Sequence, residues 1–68
     1  MAVLKVIELL AESDKSWEDA AQNAVSEAAK TVKNIRSVYI NEKTATVNGD
    51  KIDKFRVNAK VTFEVKNA

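Results

Sequence analysis

The 68 residues contain no cysteine, no histidine and no proline, and Gly49 is the only glycine. Without cysteine, neither a disulfide framework nor a thiolate zinc site is available. Without histidine, the chain lacks the commonest transition-metal ligand and the commonest general base near neutral pH. One glycine leaves no phosphate-cradling loop, and the lack of proline argues against linkers and internal boundaries. Charge of one sign is also missing: 11 Lys and Arg stand against 10 Asp and Glu. The balance excludes the concentrated basic field that follows a nucleic-acid backbone. No run approaches the ~18 apolar residues of a membrane span. A signal region of basic residues, an apolar run and a small-residue cleavage site is not recognisable at the start, so a cytoplasmic protein is expected.

What remains is one domain, residues 1–68, too small to be secure alone. A core of this size supplies about 3–5 kcal/mol unless it is stapled by disulfides, a metal or oligomerisation. With the first excluded and the usual metal ligands missing, self-association is expected.

The patterning divides into four elements. Val3 to Leu10 reads as a strand with Val3, Ile7 and Leu9 on one face and Leu4, Val6 and Leu10 on the other. Apolar residues on both faces imply a cover on both sides. Glu12 to Ser16 is a polar break rich in helix caps, with Ser16 and Asp19 spaced as a capping box and Ser13 as a competing cap. A helix follows to about Lys33, its apolar stripe formed by Trp17, Ala20, Ala21, Ala24, Val25, Ala28 and Val32. Glu18, Gln22, Ser26 and Lys33 lie opposite. Acidic first turns and Lys30 and Lys33 at the end suit the helix dipole.

Ile35 to Val47 is rich in β-forming residues, and Asn48-Gly49 is a strong two-residue hairpin signal. Beyond it Phe55, Val57, Ala59, Val61, Phe63 and Val65 alternate with polar residues, giving one buried and one polar face. Centring the turn on Asn48-Gly49 places Val38 opposite Ala59 and Ile40 opposite Val57. It also puts Ser37, Tyr39, Asn41, Arg56, Asn58 and Lys60 on the polar face. Val47 and Ile52 then fall on the polar side, which predicts a bulge or a twisted hairpin arm reaching past the helix. The result is an α+β chain of order β-α-β-β, a three-stranded antiparallel sheet around one helix. Its long edge strands require cover from other copies.

Within this frame particular residues resemble the dodecin family. They are Val6-Ile7-Glu8, the helix start Ser16-Trp17-Glu18-Asp19-Ala20-Ala21, Asn34-Ile35-Arg36, and Lys60-Val61-Thr62-Phe63. The resemblance covers nearly the whole chain and rests on the order and spacing of these pieces. It implies a hollow homo-dodecamer that binds and stores flavins, riboflavin or FMN, stacked at subunit interfaces. It also implies that positions 37 and 56 belong to the flavin site, where the family has a stacking Trp and a hydrogen-bonding Gln. Here they are Ser37 and Arg56. Loss of an aromatic platform removes roughly 1–3 kcal/mol, by analogy with base stacking. Arg for Gln adds a charge and removes an acceptor. Tyr39, on the same face two residues on, is the available substitute. At both positions the chain looks closer to a branch of the family that lacks the Trp and includes calcium binders. Two expectations follow: a small-ligand store with flavin as default, or a flavin-free shell binding calcium or other ions at symmetry axes.

Trp17 is expected in the core, because it lies on the apolar stripe. Asp50 and Asp53 are expected in turn chemistry, and Asp14, Glu18 and Asp19 in capping, since no spacing matches a calcium loop. Arg56 and Lys60 carry an anion-binding option beside simple solvation. No paired catalytic constellation is present, so an enzyme is not expected. An RNA-binding sheet would need exposed aromatics on a central strand, and both Phe residues lie on the buried face.

Overall fold

The computed structural model describes residues 2–66. The elements are β1 (Val3–Ser13), α1 (Trp17–Ala28), β2 (Ile35–Asn48) and β3 (Lys51–Val65). They form one three-stranded sheet in the order β1-β3-β2, with both pairs antiparallel. The expected β-α-β-β architecture holds. The strand with the cleanest alternation, β3, is central, so its apolar side is covered best. Val57, Ala59 and Val61 are 1%, 0% and 0% exposed. On α1 the stripe facing the sheet is alanine: Ala20, Ala24 and Ala28 are 0%, 2% and 3% exposed. Small side chains on the helix let its backbone settle close to the sheet, which is how so short a chain makes a dense core.

β1 runs three residues beyond the expected Leu10. Ala11, Glu12 and Ser13 pair with Val57, Arg56 and Phe55, so the polar break starts only at Asp14. Partners on the central strand outweigh the poor strand character of Glu12 and Ser13, since β preference depends strongly on context. Ser16 caps α1, its Oγ accepting from the Asp19 main-chain N–H at 2.9 Å. The Asp19 carboxylate does not reach back as in a full capping box. It accepts instead from Ser13 Oγ at 2.6 Å, which fixes the β1–α1 corner. Ser16→Ala is expected to cost about 1 kcal/mol by removing this acceptor. Urea denaturation followed by helical circular dichroism checks it, and an unchanged midpoint would show that water replaces the cap.

Trp17 packs edge-on against Phe55 with ring centroids 4.8 Å apart, but it is half-buried at the start of the helix and not within the core as expected. Its indole N–H also donates to the Thr44 carbonyl at 2.9 Å, tying the helix start to β2.

α1 stops at Ala28, earlier than the expected Lys33. Past it the hydrogen bonds tighten: the Lys30 N–H donates to the Glu27 carbonyl and the Thr31 N–H to the Ala28 carbonyl. Thr31 Oγ1 also donates to that Ala28 carbonyl, at 3.4 Å. β-Branched Thr31 and Val32 are weak helix formers, and Asn34 takes a left-handed φ of 64° that turns the chain into β2. No basic residue lies in the last helical turn. Lys30 instead pairs with Glu27 at 2.9 Å on the surface.

The hairpin register differs from expectation by two residues in the partner. Val38 faces Val61 and Ile40 faces Ala59, keeping apolar opposite apolar. The turn centre is Gly49-Asp50, with Asn48 inside β2 and paired to Lys51. Gly49 has φ 67° and Asp50 does not join it at positive φ. Positive φ at the first central position alone is the type II′ pattern, which needs glycine there, whereas type I′ needs it at both. Register shifts fall between Ile35 and Ser37, Ile40 and Glu42, and Thr46 and Val47. The last is the expected irregularity near the tip, and it sets Val47 opposite Ile52. The middle one leaves Asn41 without a ladder partner. Beyond it the faces of β2 switch, as a one-residue slip requires.

The 15 residues of β3 span about 50 Å while the 12 of α1 cover about 18 Å. The molecule measures 52 × 20 × 13 Å. The hairpin end beyond Trp17 and Phe55 is therefore the free arm that the pattern predicted, and Val47 and Ile52 on it are 66% and 57% exposed.

Candidate functional site

Pairing across the central strand arranges the helix-free face of the sheet in rows. Glu12, Arg56 and Thr44 form one row, followed by Leu10, Asn58 and Glu42. Glu8, Lys60 and Tyr39 come next, then Val6, Thr62 and Ser37. Polar side chains (Arg56, Asn58, Lys60 and Thr62) occupy the middle of the rows, and along β1 carboxylates alternate with apolar side chains. Leu4, Val6 and Leu10 are 53%, 57% and 62% exposed. Within one chain, then, the second apolar face expected of β1 has no cover.

The three residues expected at the ligand site divide into two places. Ser37 and Tyr39 share one end of this face, both exposed, with Tyr39 at 62%. Arg56 is on the same face, but Ser37 pairs with Thr62, six residues along β3 from Arg56. That spacing is about 20 Å. A single chain cannot close Ser37, Tyr39 and Arg56 around one ring.

Arg56 is also occupied. Its guanidinium Nε–H donates to the Glu12 carboxylate on β1. At the other end Arg36 makes the equivalent link to Glu64. These partners lie 44 and 28 residues apart in the chain. Sequence reasoning missed both pairs, because only the strand order brings them together. Glu12 had also been assigned to the polar break. Lys60 lies between Glu8 and Tyr39, so its charge too has a carboxylate neighbour in the ladder.

Acidic residues gather most at the β1–α1 corner, in an open cleft of ≈ 420 Å³ lined by Glu12, Asp14 and Asp19 with Lys15 and Lys54. The donor set does not suit calcium, which takes six to eight oxygens. Glu12 is held by Arg56, Asp19 accepts from Ser13, and two ammonium groups share the cleft. Among the described residues no group of three or more acidic side chains is placed to hold a metal. On the other side of β1, Leu9, Leu10, Ala11 and Ala24 line an apolar groove of ≈ 220 Å³ against α1. It opens at an unpaired sheet edge, since β1 and β2 are both edge strands. No described helix is long and apolar enough to cross a membrane.

The β-α-β-β order, the open sheet edges and the ion-paired, partly apolar face define a small α+β class of subunit. The comparisons are specific. The dodecin family profile matches residues 3–66. The calcium dodecin of Mycobacterium tuberculosis is 34% identical over 68 residues, covering 100% of this chain and 96% of that protein. Its crystal structure, described as a calcium-chelating antigen with a calcium-binding site, superposes with a TM-score of 0.82 over 97% of this chain and 94% of that one. A Thermus thermophilus structure superposes with a TM-score of 0.93 at 25% identity over the full length of both chains. The chain belongs to the dodecin family.

Proposed function

We propose that this protein is the subunit of a homo-dodecameric binding shell whose ligand is an ion, calcium foremost, rather than a flavin. The observation that carries the reading is the Glu12–Arg56 pair: the position from which a neutral amide would meet a flavin's polar edge holds a cation already engaged by a carboxylate. Ser37 adds no ring for stacking. The whole-length similarity to a calcium dodecin supports the ionic alternative. The described residues of one chain do not assemble six to eight oxygens, so calcium would draw carboxylates from several copies, as a symmetry axis allows. The open edges and the exposed apolar residues of β1 are the surfaces such copies would cover. The role is binding and buffering, without catalysis.

A second reading keeps flavin, favoured by the exposed ring of Tyr39 beside Ser37. The two separate in one experiment on protein unfolded, stripped of ligand and refolded. Its thermal midpoint is measured with calcium, with a chelator, and with riboflavin or FMN, while flavin fluorescence is followed. The ionic reading expects a higher midpoint with calcium and unquenched flavin. A ligand at a hundred times its Kd adds about 2.7 kcal/mol to the form that binds it. Saturable quenching with a midpoint indifferent to calcium would overturn it in favour of flavin. Light scattering that gave a monomer near 7.5 kDa would overturn the shell itself.

A further inference from the structure

The tip of the hairpin arm carries Asn48 followed by Gly49, both exposed. Glycine offers the least hindered main-chain nitrogen to the side chain before it, because it has no Cβ. Within the chain the surroundings offer no shield, since even a Cβ placed on Gly49 would meet nothing within 4 Å. Gly49 lies outside the ladder, which ends on the Asn48–Lys51 pair. The other described asparagines lack this combination. Asn23 is held by its amide, which donates to the Glu12 carbonyl at 3.0 Å. Asn34 precedes the β-branched Ile35, Asn41 precedes Glu42, and Asn58 precedes Ala59, which is 0% exposed in the central strand.

We propose that Asn48 is a site of spontaneous covalent modification, deamidation through a succinimide. The Gly49 main-chain nitrogen attacks the Asn48 side-chain carbonyl carbon. A new N–C bond forms, the C–NH₂ bond breaks, and the nitrogen's proton leaves with the amine as ammonia. Water then opens the five-membered ring at one carbonyl or the other. The product is aspartate at position 48 or an isoaspartyl linkage, and no oxidant or reductant takes part. The formal net charge falls from +1 to zero. The new carboxylate lies close to Asp50 and Asp53. The isoaspartyl form also inserts a methylene into the main chain beside a two-residue turn that tolerates no extra atom. The Val47–Ile52 pairing next to it would lose its register.

Asn48 is the last residue of β2, and extended backbone disfavours closure of a five-membered ring onto the following nitrogen, so the tip must open first. Local opening is least costly at unsupported ends, and this one stands beyond the helix. The reaction should therefore run slower than in a free peptide and still be observable.

The test incubates the refolded protein and a peptide spanning residues 46–53 side by side at mildly alkaline pH, and maps mass by fragment. The expected result is the gain of an NH₂-to-OH exchange, ~1 Da, confined to the fragment holding Asn48. Isoaspartate should be detectable enzymatically there, and Asn48→Gln should abolish the gain. No conversion of Asn48 by the time most of the peptide has reacted would overturn the proposal. So would a gain mapped to another asparagine.

Discussion

Ala24→Leu is expected to remove a large share of the subunit's stability. Ala24 is 2% exposed, between Ala20 and Ala28 on the helix stripe, and it also lines the groove against Leu9, Leu10 and Ala11. A leucine adds three carbons where the helix depends on alanine to approach the sheet. Overpacking of this kind typically costs 1–3 kcal/mol. A single core of this size has only about 3–5 kcal/mol to lose. Urea denaturation followed by circular dichroism and by Trp17 fluorescence reads the effect, with sizing of the soluble fraction. Ala24→Gly is the companion variant, expected to cost about 1 kcal/mol through helix propensity and about 0.8 kcal/mol more for the buried methyl it removes. If leucine costs no more than glycine, the helix has room above the sheet and the close-approach account is wrong.

Ser37→Trp is expected to increase riboflavin affinity by roughly 5- to 150-fold, the equivalent of the 1–3 kcal/mol that a stacking platform supplies. Ser37 is exposed on the helix-free face, so an indole there meets no buried neighbour within the chain. Fluorescence quenching titration of wild type and variant measures the change. Arg56→Gln is then added, which frees Glu12 and restores a neutral amide at position 56. If Ser37→Trp suffices alone, the missing ring is what disables flavin binding here. If only the double variant binds, the Glu12–Arg56 pair is the block. If neither binds, the face has diverged beyond these two positions, and a flavin role loses its remaining support.

Much of this fold was legible locally. The alternation from Phe55 to Val65 marks one strand face as covered, and Val57, Ala59 and Val61 at its middle are buried. The steps of three and four from Trp17 to Ala28 mark the helix, and Ser16 marks its start. The candidate site was less legible. Ser37, Tyr39 and Arg56 were found on one face by counting alternation, but the count could not tell how far apart along it they lie. Register sets that distance, and the register was misplaced at the turn. Gly49 satisfies a hairpin centred on Asn48-Gly49 or on Gly49-Asp50, and only closure of the whole ladder selects the second.

The sequence by itself determined the kind and order of the elements, the covered face of β3 and the free hairpin arm, because periodicity, capping and composition act over a few neighbouring residues. Tertiary structure alone decided that β3 is central, that α1 ends at Ala28, and that the irregularities of the hairpin fall at Arg36, Asn41 and Asp53. It alone joined Glu12 to Arg56 and Arg36 to Glu64. These features depend on which distant segments meet, and a side chain's charge or size does not encode its partner until the sheet has closed around it.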